Sequence, residues 1–412
     1  MVHPYVELLR LRDVRGLWAG HALSALGSEL YRVGVIWLAV QIAGAEGSLL
    51  VTAQSATILV VSLTAGAFTD LLPRRAFLIA ADLLAAAVTM AIVIAAYGAD
   101  LSLAWLITAT VAVAAIGAAA YPVFQASLPR LAPPERLRAV SGLFDATVRA
   151  ASAVGPFLAA AVLALLPAIH LLTLNAASFL ATALAVALVG RNLDSGPTEA
   201  RAPSVGVLRR LARGAAAARA CPGGVAVLFG AFVRAGAYAL GFSIAIPLLF
   251  SQTRGESGLS GVAVLFGAGA LGEILSSLAL VTRRPMRPYR RLFEGYLVIG
   301  VSLLAIGAAS ALSGPAQIVA MSLLAAAMGV GFTISGLQVM SWFGERLSTD
   351  DFAAVLRLRL AISIGGMMVA SAAGPLILAA LGPGGAMLAC GGAVLLAGVI
   401  GLLHPQARTV EA

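Results

Sequence analysis

Twelve apolar stretches, each about 20 to 28 residues long, recur along the chain between Gly16 and His404. At ~1.5 Å per helical residue each is long enough to cross a hydrocarbon core of ~30 Å. They run over 17–43, 48–70, 76–97, 101–122, 139–166, 169–190, 224–250, 258–281, 291–311, 316–340, 354–381 and 384–404. Turn-forming pairs punctuate them: Leu72-Pro73, Tyr97-Gly98, Pro133-Pro134, Gly314-Pro315 and Gly382-Pro383. The longest polar interval, Arg191 to Cys221, contains Gly196-Pro197, Pro203 and six arginines, the composition of a mobile connector. The pattern predicts an all-α membrane protein of twelve transmembrane helices in two six-helix halves, 1–190 and 224–412, joined by a linker over 191–223.

The halves resemble each other. A shift of 219 residues lays Gly155-Pro156 on Gly374-Pro375 and Arg138 on Arg357, while a shift of 212 lays Pro73 on Pro285, Arg75 on Arg287 and Asp82 on Glu294. Two regions matching in the same order point to duplication, and the halves are expected to be pseudo-symmetric. Duplicated halves are how many secondary transporters are built, with the binding site at mid-membrane.

Charge sets the orientation. The chain has no lysine, and all 27 basic residues are arginines. The termini and the even-numbered gaps hold twenty-three of them, whereas the odd gaps hold Arg254 alone. The positive-inside rule then places both termini and every even loop in the cytoplasm. A net charge of +9 in a chain 60% hydrophobic and 11% charged reads as topology signal and lipid-headgroup contact. Nucleic acid is not an expected partner. Cys221 and Cys390 fall at opposite locations, so no disulfide is expected, nor a metal site or a cofactor. Without lysine a phosphate-cradling GxxxxGK[ST] loop is impossible, and no nucleophile constellation suggests an enzyme. Gly267, Gly269 and Gly272 fit GxGxxG but lie inside an apolar span, where small residues serve helix packing.

The charges inside spans are expensive and need a partner or water. Counting inward from the predicted membrane edges places Glu29, Arg149 and Arg234 near the midplane, Arg32 beyond it, and Asp145 and Glu273 on the cytoplasmic side of centre. Glu29 and Arg32 are three apart and Asp145 and Arg149 four apart, each pair on one helix face. Three acids and three arginines can neutralise one another as structural ion pairs. Alternatively Glu29 or Asp145 exchanges a proton while the arginines tune it. Asp82 and Glu294, near the cytoplasmic edge, are expected to order the basic loops. Trp18, Trp105 and Trp342 read as interfacial anchors.

"GAFTDLLPRR" over 66–75 resembles the cytoplasmic signature of the major facilitator superfamily at Gly66, Asp70, Arg74 and Arg75. Leu71 and Pro73 depart from it. Gly142, Ala151, Gly155 and Pro156 resemble the family's antiporter motif, and the segments 17–30, 78–86 and 128–143 are similar to its bacterial branch of macrolide, siderophore and secretion-effector exporters. The resemblance implies an ionic latch at Asp70 with Arg74 and Arg75, and a hinge or seal at Gly155-Pro156 and Gly374-Pro375. It also implies a central cavity lined by the first, fourth, seventh and tenth spans, hence by Tyr31, Trp37, Tyr238, Phe242 and Gln338. The arginine usual in the fourth span of proton-antiport relatives is missing, leaving Arg32 and Arg149 as substitutes.

The expected protein is therefore a monomeric secondary transporter of the bacterial inner membrane, exporting an amphipathic small molecule against protons. A dedicated siderophore or metabolite exporter, a lysolipid flippase and a non-transporting sensor or scaffold are the alternatives.

Overall fold

The computed structural model describes residues 4–64, 73–98, 101–131, 136–189, 193, 207–280 and 287–408. In lipid every backbone polar group must be satisfied within its own segment, and these alanine- and leucine-rich stretches do so as helices. A short α1 (Pro4–Arg10) precedes α2 (Arg12–Ala43), α3 (Ser48–Thr64), α4 (Arg74–Tyr97), α5 (Leu103–Ser127), α6 (Leu137–Leu163) and α7 (His170–Val189). Then follow α8 (Val207–Ala220), α9 (Gly224–Ala237), a π-helical turn (Tyr238–Ile244), α10 (Ala245–Arg254) and α11 (Gly258–Leu280). The chain closes with α12 (Pro288–Ala309), α13 (Gly314–Gly344), α14 (Thr349–Ala372) and α15 (Gly374–Leu403).

Ten helical runs among the described residues are long and apolar enough to span a membrane. Two of them, Arg12–Thr64 of 53 residues and Gly224–Leu280 of 57, would reach ~80 Å if straight, far beyond one bilayer. Each is broken by a short 3-10 turn that opens on a glycine with positive φ, Gly44 at 54° and Gly255 at 56°. Each run is thus two spans, and the architecture is a twelve-helix membrane fold.

The chain forms two compact units. Unit 1 comprises residues 1–38 and 57–202, and unit 2 comprises 39–56 and 203–412. In unit 1, Leu8, Val14 and Leu17 join Leu78, Val140, Phe144, Val186 and Val189 in a buried core at the arginine-rich end. The α1 helix, which the apolar pattern does not announce, sits on α6 there. A Cβ on Gly142 would stand 2.9 Å from Tyr5 Oη, and Glu7 pairs with Arg136 at 3.5 Å. In unit 2, α11 and α13 meet backbone to backbone. The carbonyls of Ala326 and Gly269 occupy the places where Cβ atoms on Gly272 and Gly329 would be. The GxGxxG glycines are helix-packing residues.

Three features differ from the sequence reading. The second half of the linker is not a mobile connector: Val207–Ala220 is a helix, held to the start of α14 where Arg213 Nε meets Asp351 at 2.7 Å and Nη2 meets Asp350 at 3.5 Å. Asp351 beside it holds the Arg213 guanidinium above its usual basicity. Gly374-Pro375 does not lie inside an unbroken helix. The α14 helix ends at Ala372, and Pro375 takes the first turn of α15, where its missing N–H costs nothing. The backbone then turns at Gly382, φ 68°. Trp342 is not an interfacial anchor but is fully buried, its ring against Tyr289, Phe343 and the Arg346 guanidinium.

The arginines at the loop-rich end of unit 1 terminate helices. Arg75 Nη2 donates to the Ala187 carbonyl at 2.5 Å, Arg74 Nη1 to Ala126 at 3.3 Å, and Arg130 Nη1 to Leu193 at 2.9 Å. Ala187 and Ala126 lie in the last turns of α7 and α5, whose carbonyls have no partner within their own helix and carry the negative end of the helix dipole. Replacing Arg75 by alanine should remove about 1–2 kcal/mol of stability, read as a lower melting midpoint of the purified protein in nanodiscs. An unchanged midpoint would show that the α7 carbonyls find water as readily.

Candidate functional site

Glu29 sits on α2, which Thr182 pins to α7 by donating its hydroxyl to the Gly20 carbonyl at 3.0 Å. One turn further, Arg32 reaches back along the same helix face. Its Nε and Nη2 both donate to Glu29 Oε2, the former at 2.9 Å. The other carboxylate oxygen, Oε1, accepts the Ser152 hydroxyl of α6 at 2.7 Å. Gly155 lies three residues after Ser152 on the same face of α6, and a Cβ there would fall on the Glu29 Cβ and stand 3.0 Å from its Cγ. The Glu29 side chain is 15% exposed and that of Arg32 35%.

The Gly155-Pro156 pair and the intramembrane acid, two separate features of the sequence, are therefore one structure. Pro156 lies inside α6, and the glycine before it lets α2 approach closely enough for Ser152 to reach the carboxylate. Ser152 is the participant that sequence reasoning missed. Its signal was an isolated hydroxyl one turn before Gly155 in an otherwise small apolar run.

Asp145 and Arg149 pair along α6 at 2.9 Å, with side chains 64% and 73% exposed. Tyr31 is buried with its hydroxyl unpartnered among the described residues, and Trp37 is buried in the helix packing. Gly66 and Asp70 lie outside the described residues. Their basic companions Arg74 and Arg75 cap α5 and α7.

In unit 2, Arg234 near the end of α9 lies over the Phe332 ring of α13 at 4.9 Å and against the Tyr296 phenol of α12. Just beyond Arg234 the helix widens into the π turn. Tyr238 and Phe242 stack there at 5.4 Å, Tyr238 meets Phe332 edge-on at 5.4 Å, and Phe242 stacks on Phe266 at 5.1 Å. Such turns recur at functional sites because they re-aim side chains at the cost of backbone regularity. Gln338 lies on α13, its Oε1 buried and unpartnered among the described residues. Glu273 is exposed on α11, where Thr333 of α13 donates to its carbonyl at 2.9 Å. Glu294 pairs with Arg290 at 2.9 Å and Arg291 at 3.1 Å. Arg254, the basic residue of the odd gaps, hydrogen-bonds the Gly314 carbonyl and Gln317 Oε1.

The profile of the Major Facilitator Superfamily matches residues 17–355, and the chain belongs to that family. It is a multi-pass membrane transporter with a small-molecule substrate rather than an enzyme. No curated protein matches it in sequence. Among solved structures, a bacterial homologue of the human lysosomal transporter Spinster, inward-facing and unoccupied, is similar over 100% of both chains with TM-score 0.70 at 15% identity. An auto-inhibited POT family peptide transporter matches with TM-score 0.72 at 13% identity, over 97% of this chain and 98% of that one. A bacterial homologue of the iron transporter ferroportin, inward-facing, matches with TM-score 0.66 at 16% identity, over 97% and 99%. At such identities the likeness is one of fold.

Proposed function

We propose that the protein exports an amphipathic organic small molecule in exchange for protons across the bacterial inner membrane, with both termini cytoplasmic, and that Glu29 carries the proton. The observation that supports this most is the Glu29 environment: a carboxylate largely withdrawn from solvent, paired with one arginine and one hydroxyl, on the first span. A proton on Oε2 removes the negative charge that Arg32 answers, while the Ser152 contact to Oε1 survives. The two protonation states therefore differ in which groups α2 presents, which is what coupling requires. The exporter assignment rests on the sequence similarity of 17–30, 78–86 and 128–143 to the exporter branch.

Expression in an efflux-deficient host, challenged with a compound panel with and without an uncoupler, tests this reading. Uncoupler-sensitive resistance to at least one compound is expected. Accumulation of compounds that the parent strain excludes would reverse the direction. The latch reading makes a separate prediction. Asp70→Asn should reduce transport roughly ten-fold, ~1.4 kcal/mol of barrier, and leave equilibrium substrate binding unchanged. Equal loss of binding would make Asp70 a ligand of the substrate instead.

A further inference from the structure

Unit 2 contains two arginines inside its helices, Arg234 and Arg359, that have no carboxylate partner among the described residues. Arg234 on α9 and Arg359 on α14 lie close enough for their charges to repel; Arg234 bonds the Tyr296 phenol, which packs on α9 at Gly230, and Arg359 lies within electrostatic reach of that phenol. Among the described residues no carboxylate pairs with either, whereas Glu29, Asp145, Asp350, Asp351 and Glu294 all have arginine partners. The Nε atom of each is buried with no hydrogen-bond partner among the described residues. Phe332 offers Arg234 a ring face and Tyr296 a polar contact, but neither cancels a charge. Two like charges in a low-dielectric helix bundle are costly, and a protein retains them where an anion answers both. The fold holds them together through backbone contact. A Cβ on Gly236 of α9 would stand 2.8 Å from the Gly366 carbonyl of α14.

The surroundings specify the rest of the ligand. Arg234, Arg359, Tyr238 and Phe332 are all partly exposed, so the cluster is reachable. One turn along from Arg234, the π turn sets Tyr238 and Phe242 in a stacked pair that continues to Phe332. Planar guanidinium forks match the oxygens of carboxylate or phosphate, and the adjoining rings suit a flat apolar body.

We infer that the Arg234–Arg359 cluster recognises an anionic head group, carboxylate or phosphate, on the transported molecule, with the Tyr238–Phe332 rings taking its apolar part. The substrate is thus an anionic amphiphile, a refinement that rests on the transporter reading above. It makes the two halves chemically unequal, since the paired carboxylate lies in unit 1 and the unpaired cations lie in unit 2.

Equilibrium binding to the full chain in phosphatidylcholine nanodiscs tests the site without any gradient. Its failure leaves uncoupler-sensitive export standing, and failure of proton coupling leaves binding standing. The probes are 1-naphthoate, 1-naphthyl phosphate and the neutral 1-naphthalenemethanol. Both anions should bind saturably and at least ten-fold more tightly than the alcohol. Arg234→Gln and Arg359→Gln should each weaken them ten-fold or more and leave the alcohol unchanged. Should either glutamine variant melt before measurement, Arg234→Lys and Arg359→Lys keep the charge but lose the fork, and a three-fold or greater loss is expected. Displacement of 1-naphthoate by lysophosphatidylglycerol but not by benzoate assigns the head group to a lipid, and displacement by benzoate assigns it to a soluble carboxylate. Equal affinity for the alcohol, or parent-like anion binding by the folded variants, would overturn the inference.

Discussion

Replacing Glu29 by glutamine is expected to abolish uphill export while sparing downhill movement of the same compound. Glutamine matches glutamate in size, so the seat against Gly155 and the contact with Ser152 persist and α2 stays docked on α6. The charge does not persist. Arg32 loses its anionic partner in both halves of the cycle, and the variant behaves permanently as the protonated protein. Transport driven by a proton gradient in proteoliposomes should fall at least 100-fold, about 2.7 kcal/mol of coupling. Counterflow of labelled compound, which needs no net proton movement, should remain within a few-fold of the parent. A variant that still accumulates compound against its gradient and still responds to an uncoupler would move the proton elsewhere. Asp145, with Arg149 at 2.9 Å on its own helix, is the next carboxylate to test.

The second large effect is expected at Gly155, a residue with no functional group. A Cβ there meets the Glu29 Cβ well inside van der Waals contact, and both atoms belong to the rigid stems of packed helices. Alanine must therefore push α2 and α6 apart. Overpacking of this kind costs about 1–3 kcal/mol. The displacement acts directly on the hydrogen bond from Ser152, which at 2.7 Å has little slack. Gly155→Ala should lose at least ten-fold in transport with only a modest drop in melting midpoint, and Gly155→Val should lose activity altogether. Ser152→Ala serves as the companion: it removes the hydroxyl without moving the helices, and its transport should fall less than that of Gly155→Ala. If Gly155→Ala transports like the parent, the glycine is ordinary packing and the proline that follows it is an ordinary kink.

What could be read from the chain depended on how local the cause was. Span number and length follow from runs of apolar residues against a bilayer of known thickness, so the twelve helices were legible. So were Glu29 with Arg32 and Asp145 with Arg149, because residues three and four apart share a helix face whatever surrounds them. The linker helix was not. Its alanine content favours a helix, but its arginines and the prolines before it suggested a connector. The outcome turned on α14, far away in sequence, where Gly214 packs on the Ala354 carbonyl and Leu358 and where Asp350 and Asp351 meet Arg213. Trp342 was misjudged for a similar reason. An aromatic near a span end is an anchor when it faces lipid and core when Tyr289 and Phe343 cover it, and only packing distinguishes the two.

The arginine bias shows the same boundary. As a count it is a topology signal, and the sequence by itself determined that this is a polytopic helical membrane protein. The individual jobs of those arginines are decided by the tertiary structure. Arg74, Arg75 and Arg130 reach backbone carbonyls elsewhere in unit 1, Arg213 clamps a helix, and Arg359 lies near Arg234. A hydrophobic span is recognised by the solvent it avoids, a property summed along one segment. A guanidinium's partner is set by which other segment lies within a few ångströms, and in this chain that depends on where glycines such as Gly155 and Gly236 allow two helices to touch.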